Sequence, residues 1–219
     1  MVNQFFLLVE GLLRPIDGPL GRRLRYWYYR RRLKGCGTNV IIDAGVVFQN
    51  PRCIQVGSHV WFDRYSLLIA GPFSPKGRKY IKRSISSEQV VEEGNIVIGD
   101  GCHIAPFALL QGHGGLWLGS NITIAAGAKV YTLSHHYRNV EDKQDTKRYA
   151  FSTMAPPEDQ FLIMAPVTLE NNTAVGLNAV VLPGTLMREG TWLGASSFLG
   201  NRETEKNQVY SGTPATPKA

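Results

Sequence analysis

PVTLENNTAVGLNAVVLPGTLMREGTWLGASSFL, residues 166–199, is the stretch whose reading decides the fold. Leu169, Val175, Val181, Met187, Leu193 and Leu199 recur at intervals of six. Two positions before each stands a small or β-branched residue: Val167, Thr173, Ala179, Thr185, Thr191 and Ser197. A helix needs an apolar period of about 3.6 and a half-buried strand a period of about 2, so neither template fits. A hexad fits the short flat side of a three-sided β-solenoid, with the bulky residue inside and a turn at each corner. Gly176, Gly184, Gly190 and Gly194 fall where corners must turn or backbones pack closely.

Outward from this stretch the beat covers most of the chain. Its first inward positions are Ile42 and Phe48, with Val40 and Val46 ahead of them. The register slips at Asn50-Pro51-Arg52, then resumes at Val56, Phe62 and Leu68. A third set, Ile98, Ile104 and Leu110, is separated from Leu118, Ile124 and Val130 by Gln111-Gly112-His113-Gly114-Gly115, a register shift made of glycines. About six coils are expected, spaced ~4.8 Å apart. Two segments break the beat. Residues 71–95 begin with prolines and cations and end with glutamates, and residues 131–165 carry SHHYRN near the start and APPEDQ near the end. Both read as loops extruded from a corner, and loops of this length on a rigid scaffold are commonly functional or mobile. The first either folds over an acceptor pocket or decorates the surface. Trp61, Trp117 and Trp192 each precede an inward position and should face outward. Outward tryptophans are explained by burial between subunits or by a stacking platform for a sugar or adenine ring.

Residues 1–35 lack the hexad. An apolar run from Phe5 to Leu13 is followed by Pro15, Gly18 and Pro19, then by LGRRLRYWYYRRRL. This predicts two short helices, the second amphipathic. They serve as a cap on the open end of the solenoid, which must be covered, or as a foot on an anionic membrane surface. The formal net charge is +7, and residues 21–34 hold seven cations (Arg22, Arg23, Arg25, Arg30, Arg31, Arg32, Lys34) and no acid. The remainder is close to neutral, so overall basicity is no signature of nucleic-acid binding. Cys36, Cys53 and Cys102 are odd in number and lack metal-ligand spacing, and they read as buried thiols in a reduced compartment. No apolar run approaches the ~18 residues of a membrane span, and the N-terminus lacks the pattern of a secretory signal. A cytoplasmic protein, peripheral to the inner membrane face if the arm is a foot, is expected.

The hexad run, together with the closing VYSGTPATPKA, resembles the hexapeptide-repeat acyltransferases, in particular the branch that acetylates sugars and polysaccharides. The resemblance covers roughly residues 36–219. It implies an all-β fold, the left-handed parallel β-helix; handedness comes from the resemblance, since parallel crossovers are normally right-handed. The expected organisation is a helical arm over 1–35, a β-helix over 36–200 with loops at about 71–95 and 131–165, and a tail over 201–219. The resemblance further implies a homotrimer, acetyl-CoA as donor, and direct transfer without an acyl-enzyme.

The family's catalytic histidine, carried over, falls on His135 of SHHYRN, with His136 the close alternative. The chemical reason is that an attacking hydroxyl or amine must lose a proton, and imidazole, with a pKa near 6.5, accepts one well at neutral pH. His113, flanked by glycines, is a competitor; His103 and His59 read as surface residues. Glu141 and Asp142 are candidates to orient the base. A backbone N–H in the turn from Gly112 to Gly115 is a candidate donor to the thioester oxyanion, though a tight bend alone also explains those glycines. The donor site, carried over, touches Gly176, Ala195, Ser196 and Pro214. Where relatives have a threonine–lysine pair this chain has Gly200-Asn201, so Arg202 or Lys218 is expected to face the 3′-phosphate. The expected activity is O-acetylation of a sugar hydroxyl in a surface polysaccharide or its lipid-linked precursor. The alternatives are N-acetylation of an amino sugar, zinc-dependent carbonic anhydrase activity on the same fold, and a non-catalytic scaffold. The zinc reading needs three converging histidines, and their spacing here is irregular, so no metal site is assigned.

Overall fold

The computed structural model describes residues 4–89 and 91–218. Residues 1–3, Val90 and Ala219, which belong to the expected arm, first loop and tail, lie outside the described residues.

Three parallel sheets form a prism. The first face stacks Gly35–Cys36, Ile54–Val56, Ile96–Ile98, Leu116–Leu118, Val167–Leu169 and Leu186–Met187. The second runs from Ile41–Ile42 to Val209–Gly212 and the third from Val47–Gln49 to Phe198–Leu199, each visited once per coil. The ladders pair like with like. Val56 lies opposite Ile98, Ile98 opposite Leu118, Leu118 opposite Leu169, and Leu169 opposite Met187. The hexad residues therefore form three inward columns, and almost all are at most 3 % exposed. Each such side chain contributes roughly 1.5–3 kcal/mol on burial. The smaller residue two positions earlier, such as Ala108, Ala128, Thr185 or Thr191, is also buried and fills the corner between columns.

Except where the second loop leaves the fourth coil, each corner is turned by a residue in the left-handed region. Between the first and second faces these are Asn39, His59, Gly101, Asn121, Asn172, Gly190 and Asn207, with φ between 54° and 71°. Asparagine tolerates this conformation because its short amide bonds locally. Here the amides also link coils: Asn121 Nδ2 donates to Asn172 Oδ1 at 3.2 Å. Between the second and third faces Tyr65 and Phe107 take φ 60° and stack their rings at 5.4 Å. The slip at Asn50 is a single 3₁₀ turn, Pro51–Cys53. Six coils are complete. The chain past 200 adds part of a seventh, with Val209–Gly212 pairing parallel to Trp192–Leu193 and Ala215–Pro217 folding back against it.

The open end is capped. Helices α1 (Gln4–Leu13) and α2 (Gly18–Tyr29) precede the first coil. Asp17 starts α2 by accepting from Gly18 N at 2.7 Å; this bond, then Arg64, holds its carboxyl below the usual range. Tyr29 lies edge-on to Phe48 at 4.8 Å, and Phe48 to Phe62 at 5.1 Å, so an aromatic column closes the core. Arg25 is fully buried and donates to the carbonyls of Ile42, Leu13 and Ile16. It is thus removed from the set of cations expected to face a membrane, as is Arg22, which pairs with buried Asp43. The cysteines also depart from expectation. All are free, but only Cys102 is buried, its thiol pushed up to about 11 by desolvation; Cys36 and Cys53 are half-buried. Among the described residues no helix is long and apolar enough to cross a membrane.

Coil-to-coil contact at the corners is tight enough to test. A Cβ on Gly99 would stand 2.6 Å from the carbonyl oxygen of Gly119, whereas one on Gly11 of α1 meets nothing within 4 Å. Gly99→Ala should destabilise the fold by about 1–3 kcal/mol, and Gly11→Ala should stabilise it by up to ~1 kcal/mol. Thermal and denaturant unfolding of the two variants checks both signs.

Candidate active site

The two extruded segments leave from the same corner, between the third and first faces, on the second and fourth coils. They do not act separately. Lys79–Lys82 of the first pairs in parallel with Phe161–Met164 of the second, which pairs antiparallel with Leu133–His135. The result is a three-stranded sheet outside the prism. Alternation along its strands sets Arg78, Tyr80, Gln160, Leu162, Leu133 and His135 on one face. Leu133, Leu162 and Met164 are buried there with Phe73 and Tyr80 against them.

The glycine turn anchors this sheet. Gln111 Oε1 accepts from Leu133 N at 2.9 Å, and Thr132 Oγ1 donates to Gln111 O and accepts from Gly114 N, both at 2.9 Å. Gly112 N and Gly115 N are also spent, on Ile69 O and Gly112 O. The expected oxyanion donor is therefore not among these three groups; the glycines make a close-packed bend. A Cβ on Gly114 would stand 2.7 Å from the carbonyl oxygens of Ala165 and Thr132.

The histidines differ in what they offer. His135 is half-buried and its Nε2 lies 3.3 Å from Gln160 Oε1. Gln160 is fully buried; its amide nitrogen donates to Ala155 O at 2.5 Å and its oxygen accepts from Arg78 Nε at 2.7 Å. That network fixes the amide, so the group facing His135 is an acceptor. His135 then carries its proton on Nε2, and Nδ1 holds the lone pair. His113 has the opposite arrangement. Its Nδ1 lies 2.8 Å from Gly71 O, a carbonyl, so Nε2 holds the lone pair. His136 turns Nδ1 to the carbonyl of Arg138 at 2.8 Å and stacks on Tyr137. Glu141 and Asp142 do not orient His135. Their backbone N–H groups bond Asn139, and the partner of His135 is an amide instead of a carboxylate.

Beside the sheet lies a shallow cleft of about 520 Å³ lined by Arg78, Lys79, Tyr80, Asn139, Glu141 and Phe161. At its edge Tyr149 OH donates to Asp145 Oδ2 at 2.6 Å and Lys79 Nζ donates to Tyr149 OH at 3.0 Å. The tyrosine bond holds the Asp145 carboxyl below its ordinary range, and the same tyrosine raises Lys79. None of Gln160, Arg78, Lys79 and Tyr149 was singled out from the sequence. FLIM at 161–164 and KYIK at 79–82 were the available strand signals, but neither names its partner.

Of the expected donor residues, Gly176, Ala195 and Ser196 meet at one corner. A Cβ on Gly176 would stand 2.7 Å from Ala195 N, and Ser196, at φ 55°, donates its N–H to Leu177 O. The C-terminal hairpin comes to the same corner, with Gly212 N donating to Ser197 Oγ at 3.0 Å; Pro214 lies in its turn. Arg202 is partly spent as a tie, donating to Ala215 O at 2.9 Å with its guanidinium over the Tyr210 ring. Lys218 is exposed beside Val209. His103 stacks on Trp61 at 4.9 Å and sits 3.7 Å from Asp63, on the outer side of the second face. Among the described residues, no three of His, Cys, Asp or Glu lie together in a way that would hold a metal.

No family model matches the chain. In sequence it is 24 % identical over 184 residues to the dTDP-4-amino-4,6-dideoxy-D-glucose acyltransferase of Escherichia coli, covering 84 % of this chain and 80 % of that one. In structure it is similar to AntD, an N-acyltransferase of Bacillus cereus solved with dTDP and coenzyme A (TM-score 0.68, 19 % identity, 89 % and 88 % covered). It is also similar to a hexapeptide-repeat containing acetyltransferase of Vibrio cholerae (TM-score 0.54, 17 % identity, 93 % and 82 % covered). The fold is the left-handed parallel β-helix. In this β-helix the two loops meet as one added sheet.

The sheet hangs on Gln160. Gln160→Leu should strand the Ala155 carbonyl and the Arg78 guanidinium, costing about 1–3 kcal/mol locally. Hydrogen exchange should quicken at Leu162 and Ile163 while core amides such as Ile104 stay protected; equal protection in both proteins would contradict the assigned hub.

Proposed function

We propose that this chain is a hexapeptide-repeat acyltransferase that moves an acyl group from a coenzyme A thioester to the amine of a nucleotide-linked amino sugar. The observation that carries this reading is the likeness, over 84 % of the chain, to an acyltransferase named for a dTDP-amino sugar. The structural likeness to an N-acyltransferase bound to dTDP and coenzyme A supports it. The order expected from the sequence is thereby reversed, with an amine as acceptor ahead of a hydroxyl and O-acetylation of polysaccharide as the second reading.

The amine nitrogen attacks the thioester carbonyl carbon. A C–N bond forms, the carbonyl oxygen becomes an oxyanion, and its collapse breaks the C–S bond and releases coenzyme A. The nitrogen gives up one proton. A neutral amine is already a good nucleophile, so the base has only to collect that proton, a lighter task than activating a hydroxyl. His135 through Nδ1, or His113 through Nε2, is placed in that role, and the lone-pair assignments above make each capable of it. The low corner at Gly176, Ala195 and Ser196 leaves backbone exposed for a pantetheine arm, and Lys218 is the better cation for a phosphate because Arg202 is already engaged. In a homotrimer, exposed Trp192, Val209 and Leu177 at the last coils would be covered by the neighbouring protomer.

Incubation with acetyl-CoA or longer acyl-CoA and a dTDP-amino sugar should give an amide, identified by mass spectrometry, and the corresponding dTDP-hydroxy sugar should give no ester. His135→Ala should lower kcat by about 10²–10⁴ with the melting temperature unchanged. The same loss in His113→Ala alone would move the base to His113. Ester formation without amide would restore the O-acetyl reading. Separately, light scattering should give three times the chain mass, and Trp192→Glu should lower it.

A further inference from the structure

Helix α1 is built inside out. Its one charged residue, Glu10, is 4 % exposed, with Tyr28 OH at 3.3 Å and Arg14 at 3.5 Å. Its water-facing side instead presents Leu8 and Leu12, one turn apart, with Leu7 beside them. Helix α2 buries Gly21, Arg25 and Tyr29 along one stripe. The opposite stripe, by helical spacing, is Leu20, Leu24, Trp27 and Arg31, flanked by Arg23 and Arg30. These exposed apolar side chains of the two helices are 37–65 % accessible. The helices are locked together, Tyr28 OH bonding Glu10 and Arg32 lying over the Phe6 ring at 3.8 Å.

Charge identifies what such a surface meets. The neighbouring carboxylates are all engaged within the protein: Glu10 with Arg14, Asp17 with Arg64, and Asp43 with Arg22. Among the described residues Arg23, Arg30 and Arg31 have no carboxylate partner, and Arg31 lies over the Trp27 ring at 3.9 Å. Leucines at the acyl boundary, a tryptophan at headgroup level and unneutralised arginines around them match an anionic lipid surface. A second copy of this chain would have to bring a patch of free carboxylates to the same place. We propose that α1 and α2 form a foot that seats the β-helix on an anionic membrane, using the faces opposite to those that cap the core.

The full-length protein should float with phosphatidylglycerol-containing vesicles and not with phosphatidylcholine alone, and added salt should release it. Arg30→Ser with Arg31→Ser should weaken binding roughly thirtyfold. Leu8→Ser with Leu12→Ser should abolish it. Both pairs are exposed, so melting temperature and oligomeric mass should not change. Absence of binding to the anionic vesicles, or binding indifferent to both pairs, would overturn the proposal. So would a fall in oligomeric mass in the leucine variant, which would assign the face to a second copy.

Discussion

The structure depends on register between parallel coils. Each coil must return to the same three corners after one rise, or the inward side chain no longer lands on the one below. Ile98 sits between Val56 and Leu118 for this reason, and a slip of one residue would turn the whole column outward. The corners supply the discipline. Left-handed asparagines, glycines and even Tyr65 and Phe107 accept an unfavoured backbone conformation because the ladders on either side hold it.

The same constraint decides where anything else can be built. Extra residues cannot enter a face without breaking its ladder, so they leave at a corner. Two insertions leave the same corner two coils apart, about 10 Å at the usual strand spacing. That is close enough for one to supply an edge strand to the other. The candidate site is then a by-product of stacking: His135 is carried outward on a strand, Gln160 arrives beside it, and Arg78, far away in sequence, bonds Gln160. The outcome is a histidine held in one tautomer by a buried amide instead of a carboxylate.

The arm answers a different demand. A solenoid ends in an exposed layer of core, and Tyr29 and Arg25 close it, one by aromatic packing and one by satisfying three carbonyls. Burying Arg25 costs desolvation, and burial does push its pKa down. What the cap requires is confined to one side of each helix, and the other side stays exposed, as Leu8, Leu12, Leu20 and Trp27 are.

The sequence by itself determined the prism. A hexad of bulky residues with small partners is a local, repeated signal, and it located Leu169 to Leu199 in the core and both loops at corners without any long-range information. It also drew attention to His135 and His136, beside a break in the repeat, and to His113 among glycines; the preference for His135 came from the family resemblance. Only the tertiary structure decided that the loops pair with each other, that Gln160 instead of Glu141 or Asp142 faces His135, that Gly112, Gly114 and Gly115 spend their N–H groups, and that Arg25 and Arg202 are structural ties. Most of those outcomes turn on contacts between separate segments, 13 residues apart for Arg202 and Ala215 and 82 for Arg78 and Gln160. A strand such as KYIK carries its periodicity in its own residues, but the edge it joins is set by where the stacked coils happen to release it.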